Sequence, residues 1–224
     1  MKLLLLALIL FPVNLYAETW TFVEPDDNLV KSVVAITGSE VIDGKLTKAG
    51  VTGVIVEKTD KVSSTNPDYV LGKILTCEHA AKQDIEIVFF NGKKTKAAVL
   101  KTDKEADLML LGAYIHKDVN AVEVYDGDNP TGVVYGLGGK YGLVPNRNNL
   151  RVFIGSRIGP KTRNMFLDVN LVPGDSGGPV FYNNKLTSVV SGGWFWIKEN
   201  NSSYTWPLRG ASNITIKEFI NGKQ

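Results

Sequence analysis

Pro173-Gly174-Asp175-Ser176-Gly177-Gly178-Pro179-Val180 is the stretch on which the reading of this 224-residue chain turns. A serine stands between glycines, with an acid before it and a proline shortly after. Glycine permits φ > 0 and lets a substrate approach with no Cβ in the way. Successive backbone N–H groups at such a turn can converge into a nest for negative charge. Acyl transfer from a serine needs an exposed Oγ and donors aimed at the oxyanion that forms on attack. The apolar run Val180-Phe181-Tyr182 reads as a strand anchoring the turn.

Taken alone, the motif is an ordinary glycine turn or a nucleophile. It also fits G-x-S-x-G, the strand-to-helix turn of α/β-hydrolases, where an acid and then a histidine follow the serine. This chain has two histidines, His79 and His116, and both precede Ser176. A turn of that type therefore has no base, and the order His, Asp, Ser stays open.

His79 ends the apolar run Ile74-Leu75-Thr76-Cys77-Glu78-His79. A strand feeding a short helical turn over Ala80-Ala81-Lys82 would hold its imidazole at a domain edge. A general base there takes the serine proton and returns it to the leaving amine. His116, in Tyr114-Ile115-His116-Lys117-Asp118, reads as a surface residue at a polar strand exit. Asp107 heads the apolar run Leu108 to Leu111, so its carboxylate lies where a charged loop meets the core. A buried aspartate needs a partner, and the Nδ1–H of His79 would supply one. Asp103 and Glu105 read as a solvated charged turn.

The rest of the chain is expected to be β. Leu29 to Ile36 reads as a strand closed by Gly38, and Asp43-Gly44 signals a hairpin. Gly50 to Glu57 and Tyr69 to Cys77 read as strands, with a polar loop from Lys58 to Asp68. Ile85 to Phe90 alternates and ends at Asn91-Gly92, a strong hairpin signal. Asp126 to Gly132 is a dense turn cluster, placed as the boundary between two halves. Beyond it, short strands recur at about ten-residue spacing, the mark of a β-sandwich or barrel. Ile216, Phe219 and Ile220 fall at helical spacing, with Ser212 or Asn213 available as N-cap.

Composition narrows the class. The net charge of +2 argues for neither nucleic acid nor a polybasic membrane patch. The single cysteine, Cys77, excludes an intramolecular disulfide framework and reads as a buried apolar thiol. No metal cluster or phosphate loop appears, and no cofactor is implied. Met1 to Ala17 reads as a secretory signal peptide: one lysine, a short apolar run, then Pro12 and Ala17. The run is short of the roughly 20 apolar residues a membrane span needs. Export is therefore expected, to a periplasm or the exterior, with no membrane association after cleavage. Asn200, Asn201 and Asn213 match the glycan acceptor pattern but read as chance matches.

At this point the chain resembles trypsin-like serine proteases of the chymotrypsin fold. Leu75 to Ala81 is similar to their histidine motif, Asp107 to Leu111 to their aspartate motif, and Gly174 to Pro179 to their serine motif. The lack of disulfides, Asn28 to Val34 and Gly50 to Val56 resemble the bacterial branch, HtrA-like protease domains without a PDZ domain. The resemblance implies two antiparallel six-stranded β-barrels with a short C-terminal helix. The expected division is a signal peptide over 1–17, an extended arm over 18–28, a first barrel over 29–126 and a second over 127–224. It implies a triad of His79, Asp107 and Ser176, and an oxyanion hole from the N–H groups of Gly174 and Ser176. Asn170 would form the base of the specificity pocket, with Ser191, Gly192 and Gly193 pairing with the substrate; Trp194 or Trp196 borders the pocket or is plain core. A neutral Asn170 does not support a preference for Lys or Arg. Asp175 receives a new N-terminus in the animal enzymes, but Glu18-Thr19-Trp20 is not of that hydrophobic type. Protein or peptide substrates are expected. A weakly active binding protein on the same fold, and an esterase, are the alternative readings.

Overall fold

A computed structural model describes residues 26–42, 45–80, 83–127, 133–139, 150–158, 164–168, 171, 174–197 and 203–222. The signal-peptide and arm expectations over 1–25, the turn at Asp43-Gly44, Asn170 and the acceptor patterns at Asn200 and Asn201 lie outside them. A short helix α1 (Asp27–Ser32) leads into β1 (Val33–Ile42), β2 (Lys45–Val62), β3 (Tyr69–Thr76), β4 (Gln83–Val88), β5 (Lys94–Asp103) and β6 (Leu108–His116). The second half holds β7 (Val133–Gly139), β8 (Leu150–Ile158), β9 (Asn164–Asp168), β10 (Pro179–Tyr182), β11 (Lys185–Ile197) and β12 (Ser203–Ser212), then α2 (Asn213–Asn221). The mostly-β reading with a short C-terminal helix agrees with this architecture.

All pairings between these strands are antiparallel, and each set closes on itself. The first runs β1-β2-β3-β6-β5-β4 and the second β10-β11-β12-β9-β8-β7. Closure leaves no open sheet edge to recruit another chain. Residue Ile42 pairs with Lys45, the register that a two-residue connection demands. Tight turns occupy the positions their chemistry favours. Asn183 and Asn184 both take positive φ between β10 and β11, and Gly92 does so after β4.

Two local readings need correction. Leu29 to Ser32 is helical, and the strand starts at Val33. Asp26 caps that helix by accepting from Asn28 N at 2.7 Å, which places Leu29 and Val30 inside; a cap with an acidic first turn outweighed an apolar run. β2 continues to Val62, through the segment read as a polar loop, because Val62 pairs with Val70 across a bulged ladder. Of the helical turn expected over Ala80-Ala81-Lys82, Ala81 and Lys82 lie outside the described residues.

β6 explains why one run carries no alternation. Met109, Leu111 and Ile115 point into the first ring with Ile36, Ile55, Ile74 and Ile87. Leu108 and Leu110 point the other way, into a second core with Leu75, Leu137, Phe181, Val189 and Ile216. That second core is drawn from both halves, so β6 is buried on both faces and reads as continuously apolar. Phe219 of α2 enters the same core, while Lys101 Nζ of β5 donates to its carbonyl at 3.0 Å and sits over its ring. Ser212 is the observed N-cap of α2, accepting from Thr215 N. Asn213 is buried, and its Nδ2 donates to Tyr125 O and Gly127 O, both at 3.0 Å. It ties the helix start to the segment joining the rings, and a glycan has no access to it in the fold.

Candidate active site

The antiparallel register of β3 with β6 sets Thr76 opposite Met109. The residues just past the end of β3 therefore lie beside those just before β6, which brings His79 to Asp107. His79 Nδ1 is 2.8 Å from Asp107 Oδ2. The other carboxylate oxygen accepts from the backbone N–H groups of Glu78 and His79 at 2.9 and 3.0 Å. Asp107 holds φ at 53°, the left-handed region. Aspartate tolerates it because its short polar side chain bonds locally. The Ser191 hydroxyl, from β11 in the other half, also donates to Oδ2. Burial alone pushes the Asp107 carboxyl up, but the His79 and Ser191 hydrogen bonds outweigh it and hold the group below the usual carboxylate value.

Ser176 sits in the turn before β10, half-buried. Four hydrogen bonds fasten that turn. Gly177 N donates to Val190 O at 2.7 Å and Val190 N to Gly178 O at 2.9 Å. Ser176 O accepts from Thr52 N at 2.8 Å, and Gly174 O accepts from Thr52 Oγ1 at 2.7 Å. Gly174 and Gly177 take φ of 101° and 77°, which favours glycine at both. A Cβ at Gly177 would overlap Thr52 O and Thr76 Oγ1 and stand 3.2 Å from Cys77 N, so only a bare backbone fits there. Asp175 is fully buried, against the backbone of Gly138. The N–H groups of Gly174 and Ser176 donate to no group among the described residues.

These contacts form a circuit: Ser176 to Gly177, across to Val190 and Ser191, on to Asp107 and His79, and back through Cys77 to Gly177. The imidazole does not complete it with a direct bond. His79 Nε2 stands 3.5 Å from Cys77 Sγ, and among the described residues no hydrogen bond joins the ring to the Ser176 hydroxyl. The Asp107 carboxylate, and after it the Cys77 sulfur, push the His79 pKa up to about 10. Cys77 is fully buried as expected, yet its contact with the ring was not legible in the sequence. Its position two residues before His79 was the only signal. Ser191 likewise stood as a substrate-contacting residue, and the structure shows its hydroxyl spent on Asp107. Gly192 and Gly193 lie in β11, opposite Arg209 and Leu208 of β12, with open space where a Gly192 side chain would be. His116 packs edge-on against Tyr69.

No protein-family model matches the chain, and no curated protein sequence matches it. A solved structure does: the crystal structure of the serine endoprotease from Yersinia pestis, at a TM-score of 0.66 and 17% identity. The match covers 88% of this chain and 64% of that one, so this chain spans less than two thirds of its neighbour's length. At that identity the likeness establishes a shared fold, that of a serine endoprotease.

Proposed function

We propose that this protein is an exported serine endopeptidase acting through Ser176, His79 and Asp107. The observation that carries the reading is the fastened pair of His79 and Asp107, joined through Ser191 to the half that holds the glycine-rich turn of Ser176, where the N–H groups of Gly174 and Ser176 donate to no group among the described residues. In the reaction, His79 Nε2 accepts the Ser176 proton as Oγ bonds to the substrate carbonyl carbon. The carbonyl π electrons move to oxygen, where the Gly174 and Ser176 N–H groups meet the charge. Asp107 holds Nδ1–H toward itself and balances the imidazolium. Collapse of the adduct breaks the C–N bond, and the ring hands its proton to the leaving amine. Water repeats the steps on the acyl-enzyme. The ring must leave Cys77 to do this. Substrate backbone pairs along Ser191, Gly192 and Gly193.

Labelling with a fluorophosphonate tests the reading. The wild type is expected to gain one covalent adduct, located on Ser176 by peptide mapping, and Ser176→Ala is expected to gain none and to lose peptide hydrolysis. A Ser176→Ala protein that cleaves as fast as wild type ends the proposal. The engagement of Nε2 by Cys77 favours one other reading, a protein of this fold that binds peptides and turns them over slowly or not at all. Such a protein would take up no label while still binding.

A further inference from the structure

We infer that Thr52, on β2 of the first ring, is a positioning residue that sets the oxyanion-binding turn of the second; this rests on the peptidase reading above. Gly174 and Ser176, the two residues proposed to supply the oxyanion N–H groups, both have their carbonyl oxygens held by this one residue. Thr52 Oγ1 donates to Gly174 O at 2.7 Å, and Thr52 N donates to Ser176 O at 2.8 Å. Thr52 is fully buried, so water does not stand in for its hydroxyl. It is held in turn: Thr76 Oγ1, on β3, donates to Thr52 O at 2.7 Å. The nucleophile turn, 122 residues further along the chain, is thus clamped through two threonines to two paired strands of the other half.

The clamp matters because of Gly174. Its φ of 101° is one of several conformations that glycine adopts at little cost. Gly174 O shares its peptide plane with the Asp175 N–H, so holding it restricts ψ of Gly174 and, across that Cα, how the Gly174 N–H of the preceding peptide can be oriented. Without the hydroxyl, a buried carbonyl loses its partner, and the turn relaxes toward conformations that give Gly174 O another donor. The N–H then rotates away from the oxyanion position. The loss falls on the transition state and not on ground-state binding, because the oxyanion exists only after attack. A single missing oxyanion donor costs about 10²–10³ in kcat in comparable sites. Partial rotation should cost about tenfold or more.

The test compares wild type, Thr52→Val and Thr52→Ser for peptide kinetics, for inhibition by a peptide aldehyde, and by crystal structure. Val keeps the shape and removes the hydroxyl; Ser keeps the hydroxyl. Thr52→Val is expected to lose about tenfold or more in kcat with KM nearly unchanged, to weaken the aldehyde by a like factor, and to show Gly174 turned. Thr52→Ser is expected to recover most of the kcat. A folded Thr52→Val with wild-type kcat and aldehyde affinity overturns the inference while leaving the peptidase reading intact. If wild type neither cleaves nor labels, the peptidase reading fails by itself, and the crystal structures decide the clamp: an unmoved Gly174 in Thr52→Val overturns it, a turned one that Ser restores upholds it. Should Thr52→Val not fold, Thr52→Ala takes its place in every comparison.

Discussion

Replace Cys77 with alanine, and the pH dependence of hydrolysis is expected to move. The base of a Ser-His-Asp reaction works only as neutral imidazole. With Asp107 on one nitrogen and Cys77 on the other, His79 is held at about 10, against an ordinary value near 6.5. At pH 8 only about one ring in a hundred is then neutral, and the rate rises roughly tenfold per pH unit until the limb flattens. Alanine removes the sulfur, the second of the causes that raise this pKa, and leaves the carboxylate. The limb should shift to lower pH, raising kcat/KM at pH 7 to 8, with the ring still above 6.5. The lost sulfur leaves a small void in a fully buried position, at a cost of about 1 kcal/mol. Two assays read the effect: kcat/KM against pH with a substrate that does not itself titrate, and NMR titration of the imidazole carbons in a Ser176→Ala background. With two histidines in the chain, the assignment is short. Superimposable curves for wild type and Cys77→Ala would refute the reasoning. So would a wild-type His79 that titrates near 6.5.

Asp107→Asn should keep the backbone, since asparagine also tolerates left-handed φ, but lower kcat by up to about 10⁴ through the wrong ring tautomer. Its melting temperature should fall below that of wild type most at pH near 6. A raised histidine pKa contributes stability fully present below about 6.5 and lost as pH rises through about 10, so the gap should narrow across that window; a gap that widens would contradict the pairing. Asn213→Ala strips the donor from two carbonyls of the connecting segment and should cost on the order of 1–3 kcal/mol, read by urea denaturation; an unchanged midpoint would mean the tie is idle.

The broad β pattern and the meeting of His79 with Asp107 were legible because each leaves a local trace. Glycines flank Ser176, Asn91-Gly92 marks a turn, and the Leu108 run marks a strand buried on both faces. Helix α1 was hidden because Leu29 to Ile36 is mostly apolar, interrupted only by Lys31 and Ser32, and the cap that starts the helix, Asp26, lies outside the run. The outer stretch of β2 was hidden because Glu57 to Val62 is mostly polar and lies where ladder bulges relax the alternation. Contacts that join the halves were the least legible. Ser191 with Asp107, and Thr52 with Gly174, depend on how two sheets face each other, and no periodicity within either sheet encodes that. Cys77 belongs to the same class: its burial is a matter of composition, but its neighbour is a matter of ring orientation.

Each ring closes through strands of its own half, whereas the bonds that tie Asp107 and the Ser176 turn to the opposite half skip 84 (Asp107 to Ser191) to 124 (Thr52 to Ser176, 176 − 52) positions. Loop closure over such distances is deferred until shorter closures are complete. Strand pairing within each half is therefore expected to run ahead of the contacts between halves, so that Ser191 reaches Asp107, and Thr52 the turn of Ser176, only when the two halves dock.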